Sequence, residues 1–237
     1  MPIERYFIDE PIEVNQIKSL TGAEFHHLAR VTRIRPGEKI ELVNGKGIVA
    51  QVTVEAVEKE KALLQIDSVE QDTLSIERLI LAQAMPKVNR LDFILEKGTE
   101  LGVDEFWLFP GDLSIKKDFS DNQMERAHAM TIAAMKQCGR LTLPIVKLMP
   151  RLKNWPEIDG KAYFGDTDQA APHLMKNLNV NNFPVTFFIG PESGWSEDEL
   201  TIMKERGIEG VKLHENILRT DTASLVAVSL IRHALMS

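Results

Sequence analysis

Residues 185–234 read VTFFIG PESGWSEDEL TIMKERGIEG VKLHENILRT DTASLVAVSL IRHA, and this stretch decides the fold. Val185 to Ile189 is a short β-branched and aromatic run, the composition of a buried parallel strand. A loop follows, Gly190-Pro191-Glu192-Ser193-Gly194. Ser196-Glu197-Asp198-Glu199 then opens a helix, with Ser196 and Glu199 at capping-box spacing and acids suited to the helix dipole. A second strand is expected over 211–214. The loop from Glu215 to Thr222 leads to a last helix with Thr220 as its expected N-cap. That helix is apolar on several sides: Ala223, Leu225, Val226, Ala227, Val228, Leu230, Ile231, Ala234 and Leu235. It fits either a packed core helix or one that also forms a subunit interface.

The remaining chain divides in two. Residues 1–70 alternate with period 2 and read as a small β domain. Arg5 to Ile8 is its first strand, Thr21 with Glu24 predicts a capped helix start, and Asn44-Gly45 predicts a hairpin. Residues 71–77, QDTLSIE, are polar and suit a linker. From Arg78 strands and helices alternate: strands over 79–84, 105–109, 144–148 and 162–164, and helices over 89–101, 120–137 and 169–178. That alternation predicts an α/β domain over 78–237 with a mainly parallel sheet.

The chain has 237 residues, 43% hydrophobic and 27% charged, with a net charge of -7. Those are ordinary globular values, and the acidity argues against a protein that coats nucleic acid. A local basic patch remains compatible with a specific RNA partner: Arg30, Arg33, Arg35 and Lys39. The single cysteine, Cys138, excludes an internal disulfide and is expected as a buried small side chain. The first residues lack the apolar core of a secretory signal, and no apolar run reaches membrane-spanning length. A cytoplasmic protein is expected. His26 and His27 lack further ligands at metal spacing, so no metal site is expected.

In an open parallel sheet, ligands bind beyond the carboxyl ends of the strands near a switch point. Three strand ends qualify: Phe164-Gly165-Asp166, Ile189 to Gly194, and His214 to Thr220. Neither a Walker loop nor a GxGxxG fingerprint is present.

Gly190-Pro191-Glu192-x-Gly194 together with Leu218-Arg219-Thr220-Asp221-Thr222-Ala223 resembles the paired signature of the RsmE family of SPOUT-superfamily RNA methyltransferases. Phe25-His26-His27-Leu28 with Val31 and Arg33, Glu100 to Val103, and Gln137 to Arg140 resemble further family blocks in the same order. The resemblance covers nearly the whole chain. It implies a PUA-like β-barrel over 1–70 for RNA binding and a SPOUT methyltransferase domain with a C-terminal trefoil knot over 78–237. It implies S-adenosylmethionine as methyl donor, a homodimer, and methylation of N3 of a uridine in the 16S rRNA of the small ribosomal subunit.

On that reading the donor site comprises Phe164, Gly165, Ile189, Gly190, Glu192, Gly194, Leu213, Leu218, Arg219, Thr220 and Ala223. Arg219 is the first candidate to stabilise the uridine anion, or it forms a structural salt bridge to Glu192 or Asp221. Glu192 orders the loop, contacts the donor or accepts a proton through water. RNA-contact candidates are Arg5, His27, Arg30, Arg33, Arg35, Lys87, Arg90, Lys116, Lys117 and Arg140; any of them also fits plain surface charge. Four positions depart from the family pattern: Thr32 for a leucine, Leu113 for an arginine, Ser193 for a glycine and Trp195 for a phenylalanine. If position 193 needs a positive φ, serine there costs roughly 1 kcal/mol. Two other functions remain open: a SPOUT enzyme acting on another RNA position or on ribose 2′-O, and a non-catalytic RNA-binding assembly factor.

Overall fold

The computed structural model describes residues 4–73, 76–116 and 118–236. Two compact units result, one of residues up to 74 plus Met135–Leu143, the other of 75–134 plus Pro144–Ser237.

In the first unit β1 (Arg5–Phe7), β3 (Lys39–Val43), β4 (Ile48–Val57), β5 (Ala62–Gln71) and β2 (Ile17–Leu20) lie side by side in that order. The β1–β3 pair is parallel and the other pairs are antiparallel. Along β4, Ala50, Val52 and Val54 point inward while Gln51, Thr53 and Glu55 point outward, the period-2 pattern of a half-buried strand. Register shifts at Gln51/Val52 and Val54/Ala56 curl the long β4–β5 pair into a half-barrel around Tyr6, Leu20, Leu28, Ile40, Leu42 and Leu64.

Helix α1 (Gly22–His26) runs into a π-helical turn, His27–Thr32, that ends with Arg33 in a left-handed conformation, φ 56°. The capping box expected at Thr21 does not form. Glu24 instead accepts the Phe7 amide at 2.9 Å and pairs with Lys136 at 2.6 Å, contacts to the strand and to the returning segment that outcompete a local cap. That returning segment, residues 135–143, was assigned by the sequence pattern to the second domain. It lies with the first because the Gly47 amide donates to Leu141 and the Leu143 amide to Gly45.

The second unit holds a six-stranded sheet in the order β11 (Glu209–Val211), β9 (Lys161–Gly165), β10 (Val185–Ile189), β6 (Leu79–Ala84), β7 (Glu105–Phe109), β8 (Ile145–Leu148). Every pair in it is parallel. The chain order doubles back between β6 and β10, a switch point. Both central strands are buried on both faces, which explains why they are apolar apart from Gln83 and Thr186. Leu79, Leu81, Val185 and Phe187 face α2 (Val88–Glu100) and α6 (Thr220–Leu235), where Ile94, Val228 and Ile231 meet them. Ala82, Ala84 and Phe188 face the other way, toward Trp155, Met203 in α5 (Glu197–Glu205) and Ile208 just after it. Burying each such large side chain contributes about 1.5–3 kcal/mol. Most of helix α3 (Asp121–Cys138) belongs to this unit.

Several local expectations change. The strand after α5 ends at Val211, not at His214; the backbone makes one bridge from Lys212 to His173 and then turns out of the sheet. The helix expected over 169–178 shrinks to α4 (Leu174–Asn177), because Asp166 and Asp168 carboxylates bond backbone amides two residues on and hold a turn. Cys138 is exposed, at the C-terminal end of α3.

Candidate functional site

The carboxyl ends of β9, β10 and β11 enclose a cleft of about 590 Å³, a size suited to one small ligand. Gly165 ends β9, the 190–195 loop follows β10, and the 212–219 loop follows β11. Of the eleven donor-site residues expected from sequence, ten line this cleft: Gly165, Ile189, Gly190, Glu192, Gly194, Leu213, Leu218, Arg219, Thr220 and Ala223. Phe164 does not. Its side chain is fully buried beneath, edge-on to Trp195, because a strand alternates faces and only the next residue turns outward. Leu213 reaches the cleft because β11 ends early. Asp166, Lys212, His214 and Ile217 also line it and carried no sequence signal beyond their place at the strand ends; Trp195 lines it too, at the position the sequence marks as the loop's aromatic.

The 190–195 loop is held from both sides. The Trp195 indole donates to the Gly165 carbonyl at 3.0 Å and stacks on Phe109. A Cβ on Gly190 would sit 3.2 Å from the Trp195 ring, so the glycine lets the indole close over the loop. Gly194 takes φ +78°, while Ser193 keeps an ordinary negative-φ backbone. The strain that a serine at 193 would carry is therefore absent. The expected capping box at α5 is complete: Ser196 accepts from the Glu199 amide and Glu199 from the Ser196 amide.

Thr220 is not the N-cap of α6. Arg219 occupies that position, and the Thr220 hydroxyl donates to the Gly190 carbonyl at 2.8 Å, joining the two loops. Beneath them lies Gln83, fully buried in β6. Its amide nitrogen reaches the Thr220 hydroxyl at 3.2 Å and its oxygen accepts from Ser224 at 2.7 Å. Sequence reading missed Gln83; the signal was a lone amide inside an otherwise apolar strand, Leu79 to Ala84.

Glu192 accepts the Lys87 backbone amide at 3.1 Å and pairs with Arg90 Nε at 3.2 Å. The first turn of α2 has no acid of its own, so Glu192 supplies the negative charge its N-terminus favours. Arg90 also binds Asp221 at 3.0 Å. The salt bridge considered for Arg219 is thus made by Arg90 with both acids. The Arg219 side chain is exposed on the cleft and has no hydrogen-bond or ion-pair partner among the described residues. At the rim Lys212 and then His173 hold the Glu215 carboxyl below its ordinary value.

The RNA-contact candidates separate by commitment. Arg30, Arg33 and Arg35 are exposed around the π-turn of the first unit. There Arg5 is tied to Glu41 by two nitrogens, at 2.9 and 2.6 Å, His27 packs by Tyr6, and Arg140 bonds Thr142. In the second unit Lys87 is exposed at the start of α2 and Lys116 is half-buried. Lys117 lies outside the described residues. Leu113 is exposed. Thr32 bonds the Tyr6 hydroxyl at 2.7 Å. Among the described residues no cluster of three or more His, Cys, Asp or Glu side chains could hold a metal. No described helix is long and apolar enough to cross a membrane.

A family model for an RNA methyltransferase domain matches residues 73–232, and one for an RNA methyltransferase PUA domain matches 20–67. A ribosomal RNA small subunit methyltransferase E of Synechocystis is 30% identical across 92% of this chain and 74% of its own length. The protein of that name from Bacillus subtilis is 29% identical across 98% and 96%. The crystal structure of a ribosomal RNA small subunit methyltransferase E from Neisseria gonorrhoeae, bound to S-adenosyl methionine, superposes with a TM-score of 0.87 at 28% identity, covering 98% of both chains.

Proposed function

The chain belongs to the ribosomal RNA small subunit methyltransferase E family of RNA methyltransferases, and from that premise we infer its reaction, substrate and assembly. It is an S-adenosylmethionine-dependent methyltransferase of small-subunit ribosomal RNA. The finer reading is that the methyl group goes to N3 of a uridine in 16S rRNA, in the cytoplasm, by a homodimer whose last segment forms a trefoil knot.

The residues of the cleft fit this donor. Apolar side chains of Ile189, Leu213, Leu218 and Ala223 and the bare backbone of Gly165 and Gly190 suit an adenine ring. Asp166 and Glu192 provide negative charge for a cationic donor. Bound there, S-adenosylmethionine supplies a methyl group activated by a positively charged sulfur.

The observation that carries the reading is the uncommitted guanidinium of Arg219 on the cleft wall. Uridine N3 is protonated at neutral pH, and losing that proton to water leaves an anion on the base. A free guanidinium stabilises that anion as it forms. Glu192, held by Arg90 and the Lys87 amide, orders the loop beside it rather than carrying the proton. Arg30, Arg33 and Arg35 supply phosphate contacts that position the RNA. The half-buried apolar residues of α6, Leu225, Val226 and Leu230, support its use as a subunit interface.

The test is methyl transfer from radiolabelled donor to small ribosomal subunits lacking the modification, with mass spectrometry of the digested RNA. N3-methyluridine in 16S rRNA is the expected product. A ribose-methylated product overturns the assignment to N3. Donor binding without any product overturns catalysis. Sedimentation of the purified protein as a monomer overturns the dimer.

A further inference from the structure

We propose that Arg90 is a positioning residue that keeps Arg219 available for the reacting base by occupying the two carboxylates that would otherwise capture it. The proposal rests on the role given to Arg219 above. Glu192 and Arg219 line the same cleft, and Asp221 stands two residues beyond Arg219 at the start of α6. In such company an arginine is ordinarily consumed by an ion pair. Here Arg90, from the first turn of α2, reaches across with separate nitrogens: Nε to Glu192 at 3.2 Å and Nη1 to Asp221 at 3.0 Å. All three partners are half-buried, so the contacts are fixed in place rather than exchanging freely with water.

The charge balance explains why both arginines are needed. Glu192 and Asp221 carry two negative charges and Arg90 neutralises one. The remaining charge attracts Arg219 toward the cleft, while Arg90 already engages Glu192 Oε1 and Asp221 Oδ1 and so weakens the pull of either acid on a second guanidinium. A cation aimed at a developing anion acts best when it is preorganised and not already paired. The planar guanidinium fork spans two acceptors at once, which a lysine ammonium at the end of a flexible stem does not reproduce. Arg90 touches neither base nor donor in this role and acts through Arg219.

The experiment compares Arg90→Ala, Arg90→Lys, Asp221→Asn and the double variant Arg90→Ala/Asp221→Asn. Single-turnover methyl transfer to unmodified small subunits is measured alongside donor affinity by calorimetry and a crystal structure of Arg90→Ala. The single-turnover rate of Arg90→Ala is expected to fall by about ten- to a hundredfold, with a smaller change in donor affinity. Asp221→Asn in that background is expected to recover part of the rate by releasing Arg219. In the crystal, Arg219 is expected within hydrogen-bonding distance of Asp221 or Glu192. A double variant no faster than Arg90→Ala overturns the proposal, since a clamp that only holds structure gains nothing from losing a second partner. An Arg219 that stays where it is in the variant crystal overturns it equally. If wild-type protein transfers no methyl group, the functional reading has failed, and the position of Arg219 in the crystal still decides the role of Arg90. Should Arg90→Ala not fold, Arg90→Lys with and without Asp221→Asn carries the same comparison.

Discussion

Gln83 and Thr220 lie 137 residues apart in sequence and meet with 3.2 Å between the Gln83 amide nitrogen and the Thr220 hydroxyl. Through this contact one central strand fixes the start of α6, and through the Thr220 bond to Gly190 it fixes the loop after β10 as well. The Gln83→Leu variant keeps the volume and removes the donors. It is expected to lower stability by about 1–3 kcal/mol, to be seen in denaturant unfolding, and to weaken donor binding in calorimetry because both loops lose their common anchor. Unchanged donor affinity in a destabilised variant would separate the two effects and contradict the anchoring role.

Replacing Ser193 by glycine is expected to bring no gain. Ser193 has no left-handed backbone to relieve. Ser193→Gly adds freedom to the unfolded chain and is expected to cost up to about 1 kcal/mol of stability, with methyl-transfer rates unchanged. A clear rise in rate would show that position 193 matters in a conformation other than the one described here.

Gly98 lies inside α2, where alanine is ordinarily favourable by about 1 kcal/mol. A Cβ there would stand 2.7 Å from Phe106 Cε1 and 2.8 Å from Cζ, both in the core. Gly98→Ala is therefore expected to destabilise the fold, the overpacking cost of about 1–3 kcal/mol exceeding the helix gain. Thermal unfolding measures the sign directly.

The Glu215 carboxyl is held below its ordinary value of 4.5, first by Lys212 and then by His173. A carboxyl lowered on folding contributes stability that is present above its unfolded value and lost as pH falls through the lowered one. Glu215→Gln is thus expected to differ from wild type in rim stability at neutral pH and to converge with it in strong acid. Hydrogen exchange of the 212–217 amides at both pH values follows this, and a difference that persists in acid would point to a contact other than the charge.

At low salt the exposed Arg30, Arg33 and Arg35 are expected to contribute additively to RNA affinity. Each alanine substitution should reduce the salt slope of binding by about one unit. The same substitution at Arg5, already tied to Glu41, should act more on stability than on that slope.

The sequence by itself determined the order and type of most elements and the loops of the cleft. Those features arise from local patterning: mainly apolar runs for β6 and β10, alternation for β4, and capping chemistry at Ser196. It determined the family too, through short blocks kept in order. Tertiary structure decided which polar groups meet. Glu24 left a local cap for a strand amide and Lys136, Thr220 left its expected cap for Gly190, and Arg90 took the acids considered for Arg219. Each of these partners is remote in sequence; the pairings of Thr220 and Arg90 follow from the sheet order that brings β6, β9, β10 and β11 together, and that of Glu24 from the packing of the first unit. Hydrophobic period fixes which face of an element is buried. Which charged group then finds which depends on distances that only the packed layers set.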